Sequence, residues 1–106
     1  MWFKSSKEVV DYIKEHTSLK KVYVNSWEGA IQPPYIVVTE GKAQSIHADD
    51  RNHIKKKRFY IEVFVKKTDN ETAEIIENML DGSETPYEKE VFWLNDLRLE
   101  CHEFEI

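Results

Sequence analysis

One cysteine, three glycines and three prolines are all that this 106-residue chain carries of the residues that staple or interrupt a fold. The single Cys101 cannot close an intramolecular disulfide, which excludes a disulfide-framed extracellular scaffold and fits a reducing compartment. With so little Gly and Pro, no low-complexity tract and no repeat of solenoid length, collagenous, broadly disordered and solenoid classes are excluded as well. Long apolar runs are missing too. The clearest, Tyr35-Ile36-Val37-Val38, is far short of the roughly 20 residues a membrane helix needs, and Met1-Trp2-Phe3-Lys4 gives way at once to Ser and Lys, so neither a membrane span nor a secretory leader is expected. Gly-x-Ser-x-Gly, a phosphate-binding glycine loop and paired carboxylates in a pocket-forming segment are all lacking, and we expect no enzyme and no cofactor. An excess of positive charge is absent: the net charge of −5 argues against a protein built to grip phosphate backbones.

What is present reads as one domain over residues 1–106, 41% hydrophobic and therefore able to bury a single core. Ser5-Ser6-Lys7-Glu8 forms a capping box ahead of Val9, Val10, Ile13 and His16 at helical spacing, which predicts a helix from about Ser5 to His16. His16 then falls at the helix end, where a protonated imidazole suits the dipole. Thr68-Asp69-Asn70-Glu71 repeats the device before Ile75, Ile76, Met79 and Leu80, with Gly82 as the stop. Runs rich in β-branched and aromatic residues predict strands at Lys21–Val24, Tyr35–Thr39 and Phe59–Val65. Two more follow, from Tyr87 to about Leu94 and from Leu97 to Ile106, joined by a tight turn at Asn95-Asp96. The expected fold is α+β, a mainly antiparallel sheet with two helices in the order α-β-β-β-α-β-β. Two helices cannot cover both faces of that sheet, so one face is expected to stay partly open.

The last strand alternates apolar and polar residues through to Ile106, and its parity changes: Leu97, Leu99 and Cys101 share one face, Phe104 and Ile106 the other. A period of two forces either a bulge or a strand covered on different faces along its length. Apolar residues on both faces of a free edge invite pairing. We therefore expect Leu99, Cys101, Phe104 and Ile106 to lie in or against a sheet shared between subunits, with one half serving the domain's own core. In the strand Phe59–Val65, Phe59, Ile61, Val63 and Val65 make one apolar face, while Tyr60 and Phe64 flank Glu62 on the other. Those two aromatics either pack within the chain or belong to an assembly surface. Cys101 and His102, being adjacent in a strand, point to opposite faces and cannot form a nucleophile–base pair.

Residues 41–57 are expected to form a long mobile loop, of the kind that is usually functional. His47, Asp49, Asp50 and His53 place two imidazoles and two carboxylates within seven residues, competent zinc ligands if they converge. Their spacing matches no metal motif, and a solvated loop tip is the favoured reading. Lys55-Lys56-Lys57-Arg58, with Lys66 and Lys67 beyond, suggests a nucleic-acid stripe with Tyr60 and Phe64 as stacking faces. Glu62 interrupts that stripe, and a charged strand entrance that resists edge pairing is the simpler explanation.

Pro34-Tyr35-Ile36-Val37-Val38, Ala48-Asp49-Asp50, Phe59-Tyr60-Ile61-Glu62-Val63-Phe64, Met79-Leu80-Asp81, Pro86-Tyr87-Glu88-Lys89 and Phe104-Glu105-Ile106 stand in the order of small tail proteins of long-tailed phages and prophages. The chain resembles the tail terminator, or tail-to-head joining, family over nearly its whole length from about Ser5. His47 and Arg51 beside Ala48-Asp49-Asp50, and the short Asn95-Asp96 turn, depart from the pattern. The resemblance implies a structural homo-oligomer, a six-membered ring that caps the tail tube and meets the head connector. It implies a place in the virion tail after assembly in the bacterial cytoplasm, with DNA passing through the ring unbound. On this reading His47, Ala48, Asp49, Asp50 and Arg51 form a partner-binding loop that orders on meeting the tail-tube or head protein.

Overall fold

The computed structural model describes residues 2–25, 31–41, 44–48 and 52–106, with the backbone alone described in 44–48 and 52–56. In chain order the elements are α1 (Ser6–His16), β1 (Val22–Val24), β2 (Tyr35–Glu40), β3 (Gln44–Ala48), β4 (Asn52–Lys56), β5 (Phe59–Val65), α2 (Thr72–Gly82), β6 (Glu88–Leu94) and β7 (Leu99–Glu105). The five-stranded main sheet runs β1-β2-β5-β7-β6, antiparallel throughout except for the parallel β1–β2 pair. This is the α-β-β-β-α-β-β order expected, with one addition. Where a loop was expected over 41–57, β3 and β4 pair as a separate antiparallel hairpin, with Ile46 opposite Ile54 and His47 opposite His53.

Both helices lie on one face of the sheet. Val9, Val10 and Ile13 of α1 and Ala73, Ile76 and Leu80 of α2 bury against Ile36, Val38, Ile61, Val63 and Phe104, forming the main core. Each apolar stripe follows its helical spacing, so the period that shaped the helix also aims it. The opposite face carries no helix among the described residues. There a smaller cluster of Tyr35, Val37, Phe64, Leu99 and Cys101 is buried, edged by Tyr23, Ile31 and Leu94.

The helix ends show which local devices operate. Ser5 caps α1 as expected, its Oγ accepting from the Glu8 amide at 3.1 Å. At α2 the cap is Asp69 rather than Thr68: its carboxylate accepts from the amides of Glu71 (3.0 Å) and Thr72 (3.1 Å) and from the Thr72 hydroxyl (2.7 Å). The stop of α2 is not made by Gly82. Thr85 N donates to Leu80 O and Glu84 N to Asp81 O, the paired bonds of a Schellman ending, and the left-handed residue it requires is Glu84 at φ 55°. The β6–β7 connection is likewise longer than Asn95-Asp96, since Leu94 pairs with Leu99 and the loop takes in Leu97 and Arg98, the latter at φ 52°.

The parity change in the last strand needs no bulge. The ladders of β7 with β5 and with β6 run without interruption, from Glu100 to Glu105 and from Leu99 to Glu105. Leu99 and Cys101 enter the small cluster on one face, and Phe104 and Ile106 enter the main core on the other. Cys101 and His102 consequently face opposite sides.

Candidate assembly surface

Five of the six residues expected at a subunit interface are buried within the chain itself. β7 has a neighbour on each side, β5 and β6, so it presents no free edge. Leu99, Cys101, Phe104 and Ile106 are all buried, Phe104 completely. Phe104 meets the Tyr87 ring edge-on at 5.6 Å, and Ile106 exchanges backbone hydrogen bonds with Phe59 at 2.9 and 3.2 Å. Phe64 is buried and stacked on Tyr35 at 4.9 Å. Tyr60 is half-buried, its ring lying so close over Gly41 that a Cβ there would come within 2.5 Å of it. The pairing demand of the terminal strand is real, but it is met within the chain.

Of the two edge strands, the three-residue β1 and the seven-residue β6, the longer lies one place further out from β7. Its inner side pairs with β7 over all seven residues, and no described strand lies beyond it. Alternate residues of such a strand direct their amides and carbonyls away from the sheet, a template for another strand. Its first half, Glu88-Lys89-Glu90, is charged, and Lys89 is held by Glu77 of α2 at 2.8 Å. Its second half is apolar and exposed: Val91 is 52%, Phe92 40% and Trp93 49% accessible, followed by Leu97 at 53%. Register puts Val91 and Trp93 on the helix side and Phe92 on the other, so neither face of the sheet covers them. An apolar run without alternation is the pattern of a strand covered on both faces, so the composition of Val91-Phe92-Trp93 does not by itself mark an exposed edge.

On the helix-free face the same edge is acidic. Glu62, Glu103 and Glu90 stand in one lateral row across β5, β7 and β6. Burial, then the neighbouring Glu103 carboxylate, raises the Glu62 carboxyl against a hydrogen bond from Thr39; burial, then Glu90 and Glu105, raises Glu103. Burial, then the carboxylates of Glu62 and Glu103, push the Cys101 thiol up to about 12, which makes it an unreactive thiol rather than a nucleophile. Like charges directly opposite across strands destabilise by roughly 0.2–1 kcal/mol per pair. Glu103→Gln removes two such pairs and should stabilise the fold by about 0.5–1 kcal/mol at neutral pH. Because the folded-state pKa is raised, the parent regains that stability as pH falls through it. The two proteins should therefore converge near the ordinary glutamate value of about 4.3, as urea unfolding at neutral and acidic pH would reveal.

Among the described side chains, the basic residues do not form a continuous surface. Arg58 pairs with Glu105, Lys57 lies 3.7 Å from Glu40, and the glutamate row separates them from exposed Lys66 and Lys67 at the far end of β5. His47, Ala48 and His53 lie on the hairpin strands, with the two histidines at opposed positions, while Asp49, Asp50 and Arg51 lie outside the described residues. Elsewhere among the described residues, no group of three or more metal-ligating side chains occurs. No described helix is long and apolar enough to cross a membrane. Neither protein-family models nor curated proteins give a match to this chain.

Proposed function

We propose that the protein is a structural assembly subunit, a ring-forming tail terminator that caps the phage or prophage tail tube and joins it to the head connector. The observation that carries the assembly reading is the apolar outer edge of β6, with Val91, Phe92 and Trp93 exposed on a strand that, among the described residues, is paired on one side only. A solitary monomer would be expected to blunt such an edge with charge, proline or a covering loop. The tail role comes from the resemblance of the strand and helix segments, which run in that family's order. The acidic face suits a ring traversed by DNA, because like charge lets a polyanion pass without adhering.

The nucleic-acid reading loses support from the same face, where five glutamates (Glu62, Glu88, Glu90, Glu103 and Glu105) share the strands that would carry the stripe. The experiment is to add the purified chain to tail-tube protein during polymerisation and to image the tubes. A terminator should arrest growth at low ratios of cap to tube subunit and appear as a ring at one end. Tubes of unchanged length and bare ends, with the chain left in solution, would refute the reading. DNA titration at two salt concentrations should show no steeply salt-dependent binding; such binding would revive the alternative.

A further inference from the structure

The ring reading leaves open what covers β6, and the fold offers a complementary element in the β3–β4 hairpin. We infer that the β3–β4 hairpin of one copy adds to the β6 edge of the next, with β4 pairing antiparallel to β6. This joint rests on the assembly reading above and specifies its two halves.

Three observations support it. The hairpin forms a sheet of its own, separate from the main sheet, and an isolated two-stranded ribbon is marginal in water unless it joins something larger. Its charge complements the edge at one face: β4 carries Lys55, while β6 presents Glu90 beside Glu103 of β7. An antiparallel register that sets Lys55 across from Glu90 also sets Ile54 across from Val91. Since Ile46 already opposes Ile54, the apolar row Val63, His102, Val91 would extend into the hairpin with only the imidazole interrupting it.

Reach decides whose hairpin it is. The site beyond β6 lies three strand spacings from β5, about 14 Å. The chain from Lys56, the end of β4, to Phe59, the start of β5, covers at most about 11 Å when fully extended. That linker is also pinned, because Arg58 pairs with Glu105 and its carbonyl accepts from Gly41 N at 2.7 Å. A chain's own β4 therefore cannot lie along its own β6, and a second copy's can. Hairpin and edge are different surfaces, so the contact is heterologous and propagates from copy to copy until rotation closes a ring.

The test is a charge-reversal cycle read by sedimentation velocity across a concentration series. Glu90→Lys and Lys55→Glu should each weaken association about five- to tenfold, and the two together in one chain should restore it. Thermal melts at low concentration should stay within a few degrees of the parent's, because Glu90 is exposed and Lys55 belongs to the separate hairpin. As a second readout, a chain carrying both Val91→Cys and Ile54→Cys should oxidise to a ladder of linked copies. The buried native Cys101 should stay out of this reaction. Association that ignores both reversals, or a Val91→Cys chain that links to itself as a dimer, would overturn the joint while leaving ring assembly intact. A parent that stays monomeric at every concentration would remove the joint and the ring reading together.

Discussion

Removing the last three residues, Phe104-Glu105-Ile106, should leave a chain that does not fold at physiological temperature. Phe104 is wholly buried between the sheet and the helices, and Ile106 is 6% exposed and closes the sheet end through its two backbone bonds with Phe59. Truncating a buried Phe to Ala alone costs about 3–5 kcal/mol, through lost transfer energy and the cavity left behind. The deletion removes that side chain, the whole of the buried Ile106 and the Arg58–Glu105 pair. A domain of this size holds only about 5–15 kcal/mol in total. Far-ultraviolet circular dichroism should show lost structure, and the milder Phe104→Ala should melt roughly 15–25 °C lower than the parent.

The same measurement distinguishes a core residue from an interface residue. Loss at a subunit joint would fade on dilution, where the parent is dissociated as well, whereas loss of core packing is independent of concentration. The shift for Phe104→Ala should therefore be equal at low and high protein concentration. A truncated chain that melts within a few degrees of the parent would mean that Phe104 and Ile106 do not hold the main core together.

The alternation in Phe59–Val65 and in the last strand was legible because each residue's face is a local property, and both parities were realised. Which strand lies beside which is not local. The apolar end of the chain announced a need for neighbours, but nothing in Leu99–Ile106 says that β5 and β6 of the same chain supply them. β6 escaped notice as a surface for the converse reason: Val91-Phe92-Trp93 reads as ordinary strand composition until its edge position is known. The hairpin is not visible in the sequence because β3 and β4 hold one isoleucine each among mostly polar residues, which leaves little strand signal. Glu84 and Arg98 take left-handed turns that glycine would have advertised, so the true end of α2 and the length of the β6–β7 loop carried no marker.

Asp69→Ala should destabilise the fold by about 2 kcal/mol, more than an ordinary surface substitution. The α2 start has no other side-chain cap: Glu71, the residue before the helix, makes no capping bond of its own. Asp69 accepts three hydrogen bonds there, two from amides that would otherwise be orphaned at the positive end of the helix. Cap loss typically costs about 0.5–2 kcal/mol, and bonds to a charged acceptor lie at the upper end of that range, moderated here because the carboxylate is partly open to water. Partial burial on its own would raise the Asp69 carboxyl. The Thr72 hydroxyl, the Thr72 and Glu71 amides and the nearby His102 outweigh it and hold the pKa below the ordinary aspartate value. A lowered folded-state pKa stabilises above the unfolded value and is lost as pH falls through the folded one. Asp69→Asn keeps a capping oxygen without the charge, so it should be less stable than the parent at neutral pH by roughly 0.3–1 kcal/mol. That gap should narrow from about pH 5 downward and close once Asp69 is protonated. Denaturant unfolding of the parent and both variants at several pH values would measure this. A gap independent of pH would show that the Asp69 charge contributes nothing, leaving the hydrogen-bond geometry alone to set where α2 begins.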